Sequence, residues 1–83
     1  MFVMKLRGLK VSRLIKKLER EFNCILIGSR GSHRKYLCGR EIIIVPYHAG
    51  KTVSPGVLKE IIKRLKRATG LSTQEILKIL WDP

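Results

Sequence analysis

Apolar residues recur at helical spacing in three segments of the chain. The first is "SRLIKKLEREF", residues 12–22, for which Ser12 is a suitable N-cap. The second follows Ser54 and Pro55 and ends at Gly70, and the third opens with the capping box "STQE". The apolar faces of these three predicted helices consist of Leu14, Ile15, Leu18 and Phe22; of Val57, Leu58, Ile61, Ile62 and Leu65; and of Ile76, Leu77 and Leu80.

Three short segments between the first two helices predict β-strands. The segment "NCILI" leads into a turn over residues 28–31, "SHRKYLC" follows, and Gly39-Arg40 turns the chain into "EIIIVP", which Pro46 ends. The element order is therefore α-β-β-β-α with an extra short C-terminal helix. It predicts an α+β protein with a three-stranded antiparallel sheet and helices on one face.

Side chains alternate between the two faces of a strand, so the middle strand can be divided into two sets. Tyr36 and Cys38 are typical core residues, and they define the covered face. A bulge near Gly31 would reverse the assignment. The alternation places Ser32, Arg34, Tyr36 and Cys38 on the covered face, and His33, Lys35 and Leu37 on the open face.

The length and charge of the chain limit its number of domains and the type of partner it can bind. The 83 residues suffice for one small domain, which we expect to span residues 1–83 with a core of about residues 11–80. Eighteen Lys and Arg against six Asp and Glu give a formal charge of +12, which favours a nucleic-acid partner over a membrane surface. No stretch approaches the ~20 apolar residues of a membrane span, and the opening "MFVMKLRGLK" is too short a run for a signal peptide, so we expect a cytoplasmic protein.

The cysteines and acidic residues offer no familiar metal or cofactor pattern. Cys24 and Cys38 lie in apolar segments without CxxC spacing, and we expect reduced, buried thiols, with a disulfide as the alternative. Two histidines and two cysteines do not form a zinc pattern, and the scattered acids do not form a two-metal site. The "AGKT" at 49–52 lacks the first glycine of a P-loop. We therefore expect neither a metal nor a cofactor.

His33 stands in the basic stretch "GSRGSHRKY" and is the first candidate for chemistry. An imidazole near neutral pH can accept or donate a proton during cleavage of an RNA backbone. Arg30, Arg34 and Lys35 would form a cationic clamp for the phosphate. The alternative, about equally weighted, makes His33 a turn residue in a nucleic-acid-binding loop.

Other residues extend this hypothesis with weaker support. Lys51 either contacts phosphate or faces water, and His48 either shares acid–base duties with His33 or only shapes its own loop. Tyr36 and His48 are kept as possible accessory residues. Lys16, Lys17 and Arg20 either extend the RNA-binding track or form an ordinary solvated helix face.

Several motifs together resemble the HicA (YcfA-like) toxin family, the small mRNA interferases of HicA–HicB toxin–antitoxin systems. They are "GSHRKY", "VPYHAGKTVSPGVLKEIIK" and "GLSTQEIL", and the resemblance extends from about Val11 to Leu80. The chain departs from the family in having Glu21-Phe22 where members commonly have Gly-Phe, and a longer stretch from Phe22 to Gly31. About four extra residues between Gly56 and Gly70 amount to roughly one helical turn, which leaves the same face inward.

The resemblance implies a double-stranded-RNA-binding-domain-like fold and metal-independent cleavage of mRNA. It makes the histidine of the GSH motif essential, and this motif falls on Gly31, Ser32 and His33. It also implies a HicB-like antitoxin that covers the active face. Such a partner would explain why an apolar residue, Leu37, is expected on the open face.

Three functional hypotheses follow, in this order. The first is a toxin-type endoribonuclease with His33 as general acid and base, with mRNA as substrate, a HicB-like antitoxin as partner and no membrane. The second is a catalytically inactive RNA- or DNA-binding module of the same fold. The third is a component whose main role is assembly with an antitoxin.

Overall fold

The computed structural model describes residues 8–48 and 50–83. The three strands form one antiparallel sheet in the order in which they occur along the chain, which confirms the predicted α+β architecture. Within the described ranges, every helix is too short or too polar to cross a membrane. The elements are α1 (Val11–Arg20), β1 (Ile25–Arg30), β2 (His33–Cys38), β3 (Glu41–Pro46), α2 (Pro55–Thr69) and α3 (Thr73–Trp81).

The core lies between one face of the sheet and the helices. The apolar faces predicted for the three helices supply its helical side with two exceptions. Phe22 lies beyond the end of α1 and is only partly buried, and Leu77 lines a surface depression instead of the core. The alternation predicted for β2 is confirmed for Tyr36 and Cys38, which are buried, and for His33 and Lys35, which are exposed. Leu37, expected to be exposed, is half-buried. The largest fully buried side chains are Tyr36, Leu14, Leu18, Ile43, Leu65, Ile76, Leu80, Val45 and Cys38.

The start of α1 differs from the prediction. The helix begins at Val11, so the N-cap is Lys10 and the assignment of Ser12 was wrong. A distant loop replaces the side-chain cap, because the backbone N–H of Val11 donates to the carbonyl of Lys51 at 3.0 Å and Lys10 forms a β-bridge with Thr52. This tertiary hydrogen bond satisfies one of the free N–H groups at the helix start, and local sequence patterns do not reveal it.

The other predicted helix ends are confirmed. The Ser54 hydroxyl accepts from the N–H of Val57, and Gly70 ends α2 in the left-handed conformation with φ of 75°. Ser72 and Glu75 form both hydrogen bonds of the capping box that opens α3. These ends are local motifs, which explains why the sequence predicts them well.

The first hairpin is tighter than the sequence suggested. β1 continues to Arg30, which pairs with His33, so the predicted turn over residues 28–31 was too long. The connection consists of Gly31 and Ser32 alone, and Gly31 adopts a φ of 60°, which glycine accepts readily. As a result, His33 opens β2 immediately after a two-residue turn.

A register shift between Leu26 and Gly28 leaves Ile27 as an extra residue in β1. Without that shift, the ladder would place Cys24 opposite Gly39. With it, Cys24 reaches Cys38, and the two form a disulfide across a Cα–Cα distance of 4.4 Å. The expectation of two reduced thiols was therefore wrong, although their burial was predicted correctly. A spacing of fourteen residues did not reveal the pairing, because the bulge sets it.

Every residue of β1 is exposed. Ile25, Leu26 and Ile27 are among the exposed large hydrophobic residues, so the strand itself inserts no side chain into the core. Its attachment rests on the ladder with β2 and, just before its first residue, on the buried disulfide. Loss of the disulfide should therefore affect β1 more than the rest of the fold.

Reduction of the disulfide should lower the free energy of unfolding by about 3 kcal/mol, the magnitude associated with a closed loop of ~15 residues. Denaturant unfolding with and without dithiothreitol measures this change, and hydrogen exchange should show the largest increase in β1. The Cys24→Ala/Cys38→Ala variant is the control, since its stability should not respond to the reductant. An unchanged stability of the parent protein on reduction would contradict the disulfide.

Tyr36 lies in the core beneath the sheet, with no exposed surface. Its hydroxyl has no hydrogen bond of good geometry among the described residues, although the charged side chains of Arg34 and Glu19 are close enough to influence its ionisation. Burial is the main cause that raises the pKa of Tyr36 above the ordinary value of 10.0, Glu19 adds to the increase and Arg34 opposes it. The folded protein therefore favours the neutral phenol.

This shift predicts a loss of stability at alkaline pH. The folded state keeps the Tyr36 proton at pH values where the unfolded chain releases it, so the stabilisation is complete below pH 10 and falls as pH rises through the raised pKa. The variant Tyr36→Phe should be within about 1 kcal/mol of the parent protein at pH 7, since the hydroxyl lacks a good partner. Above pH 10, the free energy of unfolding of the parent protein should fall relative to that of Tyr36→Phe. A difference that is independent of pH would contradict the assignment.

Candidate nucleic-acid interface

His33 is an exposed residue at the start of β2, on the face of the sheet that carries no helix. It pairs with Arg30 on β1 and with Pro46 on β3. Directly paired residues of antiparallel strands share a face, so these three side chains form a row across the open face. The row brings a histidine and an arginine together beside the hairpin turn.

The next row across the open face consists of Gly28, Lys35 and Ile44. Lys35 follows His33 by two positions in β2, which separates their Cα atoms by about 6.6 Å along the strand. The bulge at Ile27 lies in β1 and leaves the assignment of the β2 faces unchanged. The open face therefore holds Arg30, His33 and Lys35 within two neighbouring rows.

A shallow, open depression of about 630 Å³ lies beside these rows. Its lining combines the three cationic or titratable side chains with two half-exposed isoleucines, Ile27 and Ile44. Arg30, His33 and Lys35 make no side-chain hydrogen bond or ion pair to residues 8–48 or 50–83, which leaves their polar atoms available for a ligand. The full lining is Ile27, Gly28, Ser29, Arg30, His33, Arg34, Lys35 and Ile44.

Arg34 also borders this depression, but its side chain belongs to the opposite face of the sheet. The guanidinium carbon lies 4.0 Å from the ring centroid of Tyr47, a cation–π contact. The backbone N–H of Tyr47 in turn donates to the carbonyl of Ser32 in the hairpin turn. These contacts join the loop after β3 to the His33 hairpin. Sequence reasoning missed Tyr47. The only sign of its role was its position as an aromatic residue directly after β3, the strand that pairs with β2.

His48 and Lys51 occupy a different part of the surface from His33. The N–H of Lys51 donates to the carbonyl of His48 at 3.0 Å, which closes a turn. Both residues line a smaller depression of about 130 Å³ together with residues that lead into α2, and His33 is not part of that lining. The loop does return to the hairpin, through Tyr47, but the two histidines do not share a depression.

The cations predicted on α1 form a second basic surface. Lys16, Lys17 and Arg20 line a depression of about 600 Å³ together with Lys10 and Arg13. This depression shares no lining residue with the one beside His33. The structure therefore places most of the predicted phosphate-binding residues in two separate groups, and Lys51 lies apart from both.

The two remaining predicted site residues, Ser32 and Tyr36, are partly or completely covered by the fold. Ser32 is half-buried and its carbonyl accepts the hydrogen bond from Tyr47. Tyr36 is completely buried, so its side chain does not reach a ligand on the surface. Within residues 8–48 and 50–83, no three His, Cys, Asp or Glu side chains are grouped so that they could hold a metal ion.

Comparison with known proteins gives one match. The family described as HicA toxin of bacterial toxin-antitoxin matches residues 11–67, which include α1, the whole sheet and most of α2. No curated protein and no solved structure matches the chain. The matched region contains the hairpin with Gly31, Ser32 and His33, and it exceeds half of the chain. The chain belongs to the HicA toxin family.

Proposed function

We propose that this HicA toxin is a metal-independent endoribonuclease that cleaves mRNA with His33 as general acid and base. The observation that carries the proposal is the exposed His33 beside Arg30 and Lys35, with no protein partner among the described residues, on the open face of the sheet. Membership of a toxin family supports the same conclusion, since blocking translation by mRNA cleavage is a toxic activity.

The proposed reaction uses the 2′-hydroxyl of the RNA itself as nucleophile. The neutral imidazole of His33 accepts the 2′-hydroxyl proton while the 2′-oxygen attacks the adjacent phosphorus. The bond from phosphorus to the 5′-oxygen breaks, and that oxygen takes a proton from the imidazolium. The products are a 2′,3′-cyclic phosphate and a free 5′-hydroxyl, and the histidine returns to its starting state.

The cations next to His33 have a separate role in this scheme. Negative charge increases on the non-bridging oxygens of the phosphorus as the 2′-oxygen attacks, and Arg30 and Lys35 stabilise that charge. Arg34 acts less directly, because its contact with Tyr47 fixes the loop against the hairpin. Ser32 belongs to the same turn, and its backbone carbonyl helps to hold that loop.

The second basic surface, on α1, would bind a second part of the RNA. Lys16, Lys17 and Arg20 would contact phosphates away from the scissile bond, and Lys51 would add a charge on a third side. These contacts would raise affinity without taking part in bond cleavage. They differ in this respect from Arg30 and Lys35.

A HicB-like antitoxin is the proposed protein partner. The open face carries the half-exposed Ile44 in the row next to His33 and the half-buried Leu37 two rows away, and exposed apolar surface beside a polar site is typical of an interface. A protein that covers this face would exclude RNA from His33. Such a partner would neutralise the toxin without altering its fold.

The second candidate function is an inactive RNA- or DNA-binding module. It is favoured by the second basic surface, on α1, which binds phosphates in this scheme and has no histidine in its lining. Both functions predict binding that weakens steeply with salt, because phosphate contacts release counterions. Only the nuclease predicts bond cleavage that depends on His33.

Cleavage in the presence of excess EDTA tests the proposal. The purified protein should cut labelled single-stranded RNA and leave 2′,3′-cyclic phosphate ends, whereas His33→Ala should lose at least about 100-fold in rate, as expected for a general acid–base residue. The matched control is His48→Ala, which changes the other histidine and should cleave at a rate close to that of the parent protein. RNA affinity of His33→Ala should be nearly unchanged.

Two results would reject the nuclease. Binding by the parent protein and His33→Ala with cleavage by neither would establish the binding module instead. Equal cleavage by His33→Ala and the parent protein would show that His33 has no role in the reaction.

The two cationic groups should affect different kinetic quantities. The Arg30→Ala/Lys35→Ala variant should lower kcat by about 10-fold or more, since these charges act on the transition state. The Lys16→Ala/Lys17→Ala/Arg20→Ala variant should keep kcat, weaken RNA binding and reduce the slope of log affinity against log salt by about two for single-stranded RNA. Similar losses of kcat in both variants would contradict the separation of roles.

A further inference from the structure

The depression beside His33 has an apolar part that phosphate contacts leave unused. Gly28 lies in β1 on the open face, in the row with Lys35 and Ile44. A Cβ atom added at Gly28 would meet no heavy atom within 4 Å. The φ of Gly28 does not fall in the left-handed region, so the backbone does not require glycine there. The missing side chain therefore leaves open space above the strand.

Two isoleucines border this space. Ile27, the bulged residue, is 48% exposed and Ile44 is 50% exposed, and both line the depression. They belong to the outer strands, whose backbones lie about 10 Å apart, twice the spacing of neighbouring strands. Lys35 of the middle strand lies between them, in the row of Gly28 and Ile44. The two isoleucines and the methylene stem of Lys35 offer apolar surface beside the polar ends of Lys35, Arg30 and His33, and the volume of the depression falls within the range of small-ligand sites.

We infer that this surface, over Gly28 and between Ile27 and Ile44, binds one unpaired nucleobase adjacent to the phosphate at His33. The inference rests on the proposed function, because it assigns RNA to the open face. Every nucleobase has two apolar faces and a polar edge, and a base that lies flat on apolar side chains is a common mode of single-strand recognition. The depression offers both kinds of contact.

The distances fit a single nucleotide. The row of Gly28 and the row of His33 are two residues apart along the strands, about 6.6 Å, so one nucleotide can place its base on one row and its phosphate on the other. The charged ends of Arg30 and Lys35 border the same depression and can bond to the polar edge of a base that lies there. A base-paired RNA would hide that edge, and the inference therefore specifies single-stranded substrate.

The test uses ligands that cannot be cleaved. AMP and UMP are titrated into the ¹⁵N- and methyl-labelled protein and followed by NMR, with ribose 5-phosphate as the ligand that has the phosphate and sugar but no base. Both nucleotides should shift the Gly28 amide and the Ile27 and Ile44 methyl signals. At least one should bind about ten-fold more tightly than ribose 5-phosphate, as expected for contact with one base.

A pair of glycine variants supplies the control. Gly28→Leu fills the proposed space and should remove the advantage of the nucleotide over ribose 5-phosphate while phosphate binding remains. Gly56→Leu adds the same side chain in the first turn of α2, where a new Cβ also meets no heavy atom within 4 Å, and should keep the advantage. The dispersion of the NMR spectra establishes that each variant is folded.

Equal affinity for the nucleotides and ribose 5-phosphate would overturn the inference, as would nucleotide-induced shifts confined to α1. An unchanged nucleotide advantage in Gly28→Leu would overturn it as well. These results are independent of cleavage. Base-dependent binding at Gly28 without nuclease activity would support the site and reject the proposed reaction, whereas EDTA-resistant cleavage without base-dependent binding would do the reverse.

Discussion

The register between β1 and β2 is the constraint on which both ends of the hairpin depend. At the turn, the pairing of Arg30 with His33 leaves only Gly31 and Ser32 to reverse the chain and places an arginine beside the histidine on the open face. At the other end, the extra residue Ile27 shifts the ladder by one position and brings Cys24 to Cys38. One bulge therefore makes the candidate site compatible with the disulfide.

This register is maintained although β1 contributes little to the core. A strand with one buried face normally has its register fixed by the hydrophobic pattern, because a slip of one residue would expose the buried set. All six residues of β1 are exposed, so that penalty is absent. The covalent link to Cys38 and the tight turn at Gly31 fix the two ends of the hairpin instead. The cost of this design is an edge strand with apolar residues in contact with solvent, which a ligand or partner would cover.

The sequence predicted the parts of the structure that depend on local patterns. Helical periodicity predicted the three helices, and Ser54, Gly70 and the Ser72–Glu75 capping box predicted three of their ends. Alternation in β2 placed His33 and Lys35 correctly on the open face. Where a distant contact replaces the local signal, as at the start of α1, the prediction failed: Lys51 satisfies the N–H of Val11 and Ser12 has no capping role.

The candidate site was predictable only in part, for a similar reason. The basic residues around His33 were visible as a cluster in the sequence, but the sheet divides them between its two faces. The basic residues of α1 line a separate surface. Gly28, Ile27 and Ile44 have no chemical signature, and the pairing of three strands is needed to bring them beside His33. Tyr47 likewise becomes relevant only through its contact with Arg34.

The total charge of the chain overstates how many cations face a ligand. Arg34 lies over Tyr47, Arg64 pairs with Glu41 and Glu60, and Arg13 donates to the carbonyl of Asp82. Planar guanidinium groups suit such intramolecular contacts, whereas lysine ammonium groups remain hydrated at the surface. Arg30, like Arg20, Arg40 and Arg67, makes no such contact with the residues that the structure describes, and of these four it is the one that pairs with His33. An arginine that the fold leaves unpaired, opposite a histidine that the fold leaves exposed, is a more specific indication of a phosphate site than the formal charge of +12.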